Sequence, residues 1–400
     1  MKKIKLFLLI ICAVASVLLA VGGVIRLFGD SGEFTLAGNT EMVRALTADE
    51  EGYDEDSTVC DVEYFSADGE LSCVLAIPYE EWVSLPEKAS FEGFVYENGN
   101  GERVVTAHEA DQSELRALLR DVRADENSAL FQSAAAVGLV AVSLAVITFF
   151  DSFFTAYEKW WFISIMILAA VFAVFMPEES CNGVDGIWIM ILYLADTFLN
   201  ILCELLISKQ SKWNFIVSVF VEIAEILICV VLAYRFATMA TTLFFWLPCD
   251  IISFVNWHKH PDSEEEELTV VRTLHGFEEV LIIAGIFVWT LGVGYALTLL
   301  DVGSELFAGN RTLEVVVCYL DACASAVGVA NGLFILFRFR EQWIAWYISA
   351  ILEGVINVLS GQYILLVLKL GYITNTTYGY IKWTRYIGKT GSASSSLQKE

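Results

Sequence analysis

The chain has 400 residues, 56% of them apolar, and a formal net charge of -25 at pH 7. An apolar fraction this high argues against a soluble multidomain protein and indicates a membrane protein. The acidic residues are concentrated between residues 30 and 127, which argues against nucleic acid and anionic lipid as partners of that segment.

Ten stretches of the chain are long and apolar enough to cross a bilayer as helices, since a crossing takes about 20 residues. The first, residues 6–27, follows a basic N-terminus and is interpreted as a retained anchor; a cleaved signal segment is the alternative. The other nine predicted spans lie at residues 130–150, 160–176, 186–207, 213–234, 238–257, 278–300, 313–337, 342–360 and 362–383.

The distribution of basic residues predicts the orientation of these spans, because cytoplasmic loops are enriched in lysine and arginine. With the N-terminus in the cytoplasm, the short outer loops contain only Arg235 and Arg311. We therefore predict a multi-pass protein of the cell membrane, with both termini cytoplasmic and residues 30–127 extracytoplasmic. The basic residues assigned to the inside are Lys159, Lys209, Lys212, Lys259, Arg272, Arg338, Arg340, Lys382, Arg385 and Lys389.

The acidic segment has the pattern of a small folded domain. Residues 58–65 and 70–78 alternate like strands and are joined by a turn-forming Ser-Ala-Asp-Gly-Glu sequence. Residues 91–96 and 103–107 flank a second turn, Glu-Asn-Gly-Asn-Gly, and residues 111–122 form an amphipathic helical pattern that leads into the second span. The sequence therefore predicts a small α+β extracytoplasmic domain.

Five segments of different character follow from these assignments. Within the acidic one, spacing alone leaves open whether Cys60 and Cys73 form a disulfide. The predicted segments are an N-terminal membrane anchor or signal segment (1–29), an acidic extracytoplasmic domain (30–127), two additional transmembrane helices (128–177), a transporter domain (178–386) and a cytoplasmic tail (387–400).

The last seven spans contain an internal repeat. Two basic residues precede a Trp in both 209–213 (Lys-Gln-Ser-Lys-Trp) and 338–343 (Arg-Phe-Arg-Glu-Gln-Trp), and the third span of each set ends alike, at 254–259 and 380–385. The alternative is that Trp beside Lys or Arg marks any membrane interface. Because the span 278–300 separates the two sets, they are predicted to be parallel three-helix repeats, a known plan for transporters with a solute site between the repeats.

Three motifs together resemble the PnuC-type nicotinamide riboside transporters. They are residues 244–257 (Phe-Phe-Trp-Leu-Pro-Cys-Asp-Ile-Ile-Ser-Phe-Val-Asn-Trp), 340–346 (Arg-Glu-Gln-Trp-Ile-Ala-Trp) and 379–383 (Gly-Tyr-Ile-Lys-Trp). The resemblance covers about residues 150–386. It implies an all-α polytopic membrane protein with SWEET-like 3+1+3 parallel helix repeats, to which the α+β domain is an addition. It also implies facilitated diffusion of a vitamin precursor that a cytoplasmic kinase then traps. The chain departs from the family at Asp250, where relatives tend to have Gln.

Ionisable residues inside the spans point to a solute site, because such groups are costly in hydrocarbon and usually functional. Only Lys369 is expected to oppose the acids away from the span ends, so a cationic solute in an aromatic-lined cavity would supply the missing positive charge. The acids concerned are Asp196, Glu222, Glu225, Asp250, Asp321 and Glu353. The candidate substrate-binding residues are Asp250, Trp246, Glu225, Asn200, Asp321, Asn331, Trp343, Trp346, Glu353, Asn357, Tyr372 and Asn375.

Structural alternatives exist for several of these residues. Glu222 and Glu225 could instead pair with Arg235, and Asp321 could hydrogen-bond a neighbouring helix. Asn331 shares a face with Gly328 and Gly332, which suits close helix packing. Trp343 and Trp346 have the positions of interface anchors as well as of stacking partners.

The predicted function is uptake of a cationic vitamin or nucleoside-like solute, with nicotinamide riboside first and thiamine second, by rocking of one repeat against the other. A membrane sensor that uses the acidic domain is the main rival, and a sugar facilitator is disfavoured by the buried acids. No nucleophile–base arrangement, metal site or phosphate loop is found, so neither enzymatic activity nor a cofactor is predicted. The lipid bilayer is the expected surrounding, and the sequence leaves open whether the chain forms a homo-oligomer.

Overall fold

A computed structural model describes residues 2–46, 58–208, 213–259, 274–300, 305–307, 310–337, 339 and 341–397. The chain forms two compact units, one of residues Leu18–Phe131 and the other of Met1–Val17 with Gln132–Glu400. Several residues used above to predict orientation lie outside the described residues. They are Lys209, Lys212, Arg272, Arg338 and Arg340.

The smaller unit contains a five-stranded antiparallel sheet with the strand order β3-β2-β1-β4-β5. Both predicted hairpins are present: β2 pairs with β3, and β4 pairs with β5. The central strand β1 was not predicted, because a bulge between Leu36 and Gly38 interrupts the alternation of its side chains. The strands are β1 (Phe34–Arg44), β2 (Val59–Ser66), β3 (Ser72–Pro78), β4 (Ser90–Asn98) and β5 (Arg103–Thr106).

The sheet has a hydrophobic core on each face. Met42, Val62 and Val95 are buried with neighbours from the other strands in one cluster. The second cluster joins Phe34 and Tyr96 to Leu115 and Leu119, near the start of helix α3 (Gln112–Phe149). Burial of two faces gives this unit a core of its own.

The register of the sheet separates the two cysteines of this unit. Cys60 lies opposite Ile77, whereas Cys73 lies opposite Tyr64, four residues further along β2. Cys60 and Cys73 are not joined by a disulfide. A separation of four strand residues is about 13 Å, which is beyond the reach of a disulfide.

Helix α3 is continuous through the predicted amphipathic helix and the second predicted span. Its first turn is capped by Asp111, whose carboxylate accepts hydrogen bonds from the backbone N–H groups of Ser113 at 2.7 Å and Glu114 at 2.9 Å. The helices of the chain are α1 (Lys2–Phe28), α2 (Tyr79–Ser84), α3 (Gln112–Phe149), α4 (Ala156–Phe175), α5 (Gly186–Ser208), α6 (Trp213–Val231), α7 (Phe236–Thr241), α8 (Leu247–Lys259), α9 (Gly276–Thr298), α10 (Arg311–Phe337), α11 (Gln342–Leu359) and α12 (Tyr363–Leu397).

Eight helices within the described residues have the length and composition of a membrane crossing, compared with ten predicted spans. The predicted span 238–257 contains α7 and α8, which a π-helical turn at Thr242–Trp246 joins into one helical segment. Pro248 follows that turn and supplies no backbone N–H, which favours irregular helix geometry there. The last predicted span coincides with the start of α12, whose Gly, Thr, Asn and Lys residues lower its hydropathy.

A surface ion cluster ties two helices to the turn between α3 and α4. The carboxylate of Asp151 lies 2.6 Å from the Lys5 ammonium and 2.8 Å from the Lys159 ammonium. Hydrogen bonds from Lys159 and Lys5 lower the pKa of Asp151 from 3.8 to about 2. The ionised form of Asp151 is therefore favoured in the folded chain.

Asp151→Asn is expected to lower the thermal stability of the purified protein at neutral pH. A depressed carboxyl pKa contributes stability that is complete above the ordinary value near 3.8 and is lost as the pH falls through about 2. The difference in melting temperature between the variant and the wild type should therefore shrink between pH 4 and pH 2. Glu109→Gln, at an exposed position, is the control. A difference that stays constant over this range would contradict the assignment.

Candidate functional site

A buried arginine lies where helices α6, α10 and α11 meet. Arg235 has a left-handed backbone conformation, with φ of 54°, in the connection between α6 and α7. Its guanidinium faces the carboxylates of Glu225 at 3.6 Å, Asp321 at 3.9 Å and Glu353 at 3.9 Å. Only 6% of Arg235 is exposed, so these contacts are shielded from water. Charges in such surroundings interact strongly.

Asp321 also holds the start of α7. Its carboxylate accepts hydrogen bonds from the Ala237 N–H at 2.9 Å, the Thr238 N–H at 3.2 Å and the Thr238 hydroxyl at 2.5 Å. These donors belong to the first turn of a helix, which has no internal partners for its N–H groups. The alternative considered for Asp321, a hydrogen bond to a neighbouring helix, is thus confirmed.

A second set of polar residues joins α5 to α12. Tyr372 donates a hydrogen bond to the Asn200 side-chain oxygen, and the Asn200 amide donates to the Asp196 carboxylate at 2.9 Å. One turn further on, the Asn375 amide donates to the Glu204 carboxylate at 2.6 Å. These contacts bring together residues about 170 positions apart in the sequence.

Aromatic rings and a cation adjoin this second set. The rings of Trp346 and Tyr372 form an edge-to-face pair with centroids 5.6 Å apart. The Lys369 ammonium contacts the carboxylate of Glu353 and lies 4.8 Å from the centroid of the Tyr372 ring. Together, Trp346, Tyr372 and Glu353 combine two aromatic surfaces with a carboxylate.

Asn331 connects two helices. With its amide oriented to satisfy both groups, it donates to the Gln342 carbonyl at 3.1 Å and accepts from the Trp346 indole N–H at 3.3 Å. On the same helix, a Cβ at Gly332 would lie 2.5 Å from the Phe245 ring. The glycine therefore lets the π-helical turn pack closely against α10.

Glu222 of α6 and Asp250 of α8 lie on two helices that pack against each other. Glu222 is buried and Asp250 is half-buried. One oxygen of each carboxyl group has no hydrogen-bond donor among the described residues.

Eight of the twelve candidate residues fall into two groups in the structure. One group surrounds Arg235 and contains Glu225, Asp321 and Glu353. The other lies between α5, α11 and α12. Trp343 is half-buried in the first turn of α11, and Asn357 is fully buried with no hydrogen-bond partner for its amide among the described residues. The second group contains Asn200, Trp346, Tyr372 and Asn375, with Asn331 contacting Trp346.

Lys369 is the one cation expected to oppose the acids away from the span ends, and the alternative that Glu225 pairs with Arg235, at the end of a span, is confirmed. Arg235 is a second buried cation, and it matches Glu225, Asp321 and Glu353 with an internal base. A charged residue in a short loop between apolar segments is typical of an interface, so its burial was not evident. Glu204 was also missed, although its position four residues after Asn200 places the two on one helical face.

The described interior nevertheless has more acids than bases. Among the side chains described between residues 186 and 397, the buried cations are Arg235 and Lys369. A small cavity of about 30 Å³, lined in part by Arg235 and Asp321, has room for about one water molecule. The acidic residues of this interior are Asp196, Glu204, Glu222, Glu225, Asp250, Asp321 and Glu353.

Comparison with known proteins identifies relatives for this part of the chain. A family model described as nicotinamide mononucleotide transporter matches residues 190–385. The nicotinamide riboside transporter PnuC of Haemophilus influenzae is 24% identical over 249 residues, which cover 60% of this chain and 95% of that protein. The protein of the same name from Neisseria mucosa is 24% identical over 245 residues, with 58% of this chain and 82% of that protein covered.

One solved structure is also similar. The crystal structure of the vitamin B3 transporter PnuC has a TM-score of 0.43 and 23% sequence identity, and the match covers 59% of this chain and 94% of that one. The family match and both curated relatives agree with the resemblance in the motifs at 244–257, 340–346 and 379–383. Residues 190–385 of the chain are therefore similar to the PnuC-type transporter family.

Proposed function

We propose that this chain takes up nicotinamide riboside across the cell membrane by facilitated diffusion. The relatives named above carry that substrate in their names. The observation that carries the proposal is the cluster of Trp346, Tyr372 and Asn200 beside the Glu353 carboxylate. Aromatic faces suit a pyridinium ring, and amides suit the hydroxyl groups of a ribose.

The proposed architecture is a SWEET-like arrangement of two parallel three-helix repeats. The first repeat would consist of α5, α6 and the interrupted α7–α8 segment, the second of α10, α11 and α12, with α9 between them. Packing of α5 on α6, α6 on α8, α10 on α11 and α11 on α12 supports this division. Contact between α5 and α12 would then be the interface of the repeats, where the solute site is proposed.

The proposed placement in the membrane follows from the charge pattern. Both termini would be cytoplasmic, and the unit containing the five-stranded sheet would be extracytoplasmic. Residues 128–177 would add two transmembrane helices to the transporter domain, and residues 1–29 would anchor the chain. Support comes from the apolar character of α1, α3 and α4.

The positive charge of the solute would be complemented by only some of the buried carboxyl groups. Because Arg235 already faces three carboxylates, those groups do not by themselves call for a cationic solute. Within the described interior, the carboxylates of Asp196 and Glu204 accept side-chain hydrogen bonds only from amides. These two carboxyl groups, on the α5 side of the Tyr372 ring, are the ones that a pyridinium would complement.

Nicotinamide riboside is expected to stabilise the intact purified protein against thermal unfolding, and its reduced form much less. The reduced compound has a neutral dihydropyridine ring on the same ribose, so it isolates the contribution of charge. Loss of a desolvated cation–π contact of about 2 kcal/mol corresponds to about 30-fold weaker binding. Equal stabilisation by the two compounds would remove the role of charge. Absence of stabilisation by either would contradict the proposed substrate.

Thiamine is a second candidate, because its thiazolium ring also presents a cation to the same site. The rival function, a receptor that uses the sheet-containing unit, draws support from that unit's separate core. Trp346→Ala separates these possibilities in the intact chain. Stabilisation by a vitamin that survives this substitution would place binding elsewhere.

A further inference from the structure

Three polar side chains at the turn between α11 and α12 are buried without hydrogen-bond partners among the described residues. Both amide atoms of Asn357, the hydroxyl of Ser360 and the amide nitrogen of Gln362 are unpartnered there. Asn357 is fully buried, Gln362 is 1% exposed and Ser360 is 7% exposed. Buried polar groups almost always have partners in folded proteins, because an unpartnered one is costly. These groups therefore point to a bound polar molecule.

The backbone and Tyr234 hold these side chains together. The Gln362 N–H donates to the Asn357 carbonyl at 2.8 Å, across a turn in which Gly361 has a left-handed conformation with φ of 70°. From the connection between α6 and α7, the hydroxyl of Tyr234 donates to the Gln362 side-chain oxygen at 2.5 Å. Tyr234 also lines the small cavity beside Arg235. The three polar side chains are thus fixed in place next to an internal space.

Asn357 belongs to the polar face of α11. Trp346, Glu353 and Asn357 are separated by seven and four residues, so they lie on one face of the helix. Asn357 is about 16 Å from Trp346 along the helix axis, which is longer than a nucleoside. The two residues therefore cannot contact the same solute molecule at once. The opposite face of α11 has exposed apolar side chains at Ile348, Ile351, Val355 and Val358.

Ion pairs lie between the two ends of this polar face. Glu353, one turn before Asn357, contacts the Lys369 ammonium and faces the Arg235 guanidinium at 3.9 Å. These charges separate the cluster of Trp346 and Tyr372 from the amides at the turn. The side chains at the turn are neutral donors and acceptors, which suit hydroxyl groups better than a cation.

We infer that Asn357, Ser360 and Gln362 form a second solute site, which binds the ribose hydroxyl groups of the transported compound and holds water when the solute is absent. The identity of the solute rests on the proposed function. In the proposed orientation, this site is at the extracytoplasmic end of α11, so the riboside occupies it before it reaches Trp346. The solute enters when the helices around Tyr234 separate, because the cavity there has room for about one water molecule.

The melting temperatures of two variants of the full-length protein test the site without any vitamin. Asn357→Leu replaces the amide by an apolar group of similar size, and Ser360→Ala, a smaller change, decides the test if Asn357→Leu does not fold. If water binds these groups, each variant should melt at a lower temperature than the wild type. If they have no partner, the apolar replacement removes a cost. An unchanged or higher melting temperature of either variant would overturn the site.

Uptake into lipid vesicles tests the solute. Asn357→Leu should lower the initial rate of nicotinamide riboside uptake at low concentration by about tenfold, as expected for the loss of one or two hydrogen bonds. It should leave the dissociation constant of the purified protein unchanged, because Trp346 is in the other site. Val358→Ala, at an exposed position of the same helix, is the control and should change neither quantity. An unchanged uptake rate in Asn357→Leu would overturn the inference.

Uridine, a neutral nucleoside with the same ribose, tests the recognition of hydroxyl groups. Present on both sides of the vesicle membrane, it should slow riboside uptake by the wild type more than uptake by Asn357→Leu. Equal inhibition of the two would overturn the assignment to ribose. If the wild type takes up no nicotinamide riboside, the proposed function fails, and the melting temperatures still decide whether the site binds hydroxyl groups.

Discussion

Arg235→Gln is expected to destabilise the protein by about 3–5 kcal/mol and to abolish uptake. Breaking a buried ion pair leaves uncompensated charge in surroundings of low dielectric constant, and this is the usual cost. Here one guanidinium faces Glu225, Asp321 and Glu353 on three different helices, so its removal affects all of them. Thermal and denaturant unfolding of the purified protein would measure the loss.

The matched control is Arg311→Gln. Arg311 lies 2.9 Å from Glu314, but about half of its side chain is exposed, so its ion pair should contribute about 0–1 kcal/mol. Arg235→Lys keeps the positive charge without the planar fork and should recover part of the stability. Equal effects of Arg235→Gln and Arg311→Gln would show that burial of the guanidinium has no energetic importance.

Trp346→Ala is expected to weaken nicotinamide riboside binding by about 30-fold, from the loss of a desolvated aromatic contact of about 2 kcal/mol. Trp346 is half-buried beside Tyr372, and its indole N–H reaches Asn331. Trp346→Phe keeps a ring but not the indole donor, and should lie between the wild type and the alanine variant. Titration of the purified protein with the vitamin would give the dissociation constants.

Trp160→Ala serves as the control, because this Trp on α4 is 71% exposed and belongs to neither candidate group. Its replacement should leave the dissociation constant unchanged. A Trp346 variant that binds the vitamin as tightly as the Trp160 variant would show that the ring does not contact the solute.

Local patterns were the part of the fold that could be predicted. The two hairpins follow from turn sequences rich in Asn, Asp and Gly between alternating segments, and the structure contains both. Strand β1 was missed because its bulge at Gly38 breaks the alternation on which strand prediction depends. The π-helical turn in the sixth predicted span was not predicted. Pro248 was the one local signal available there.

The candidate site was less predictable, because its contacts join distant parts of the chain. The sequence identified Asn200 and Tyr372 separately, but their hydrogen bond spans 172 positions. The burial of Arg235 depends on a left-handed backbone conformation and on carboxylates from three helices. Neither leaves a periodic pattern. The predicted spans contain more acidic side chains than the single base Lys369 can pair with. That imbalance was the indirect sign that another buried base existed.

The three hydrogen bonds from the start of α7 to Asp321 restrict how the helices can slide past one another. Pulling α7 from α10 would strand a carboxylate and two backbone amides in an apolar interior, at about 1–3 kcal/mol for each group. We therefore expect α7 to move together with α10 as one rigid body. The hinge would then be the five residues Thr242–Trp246. Cross-linking α7 to α10 should leave solute uptake intact, whereas a substitution that stiffens the hinge should stop uptake.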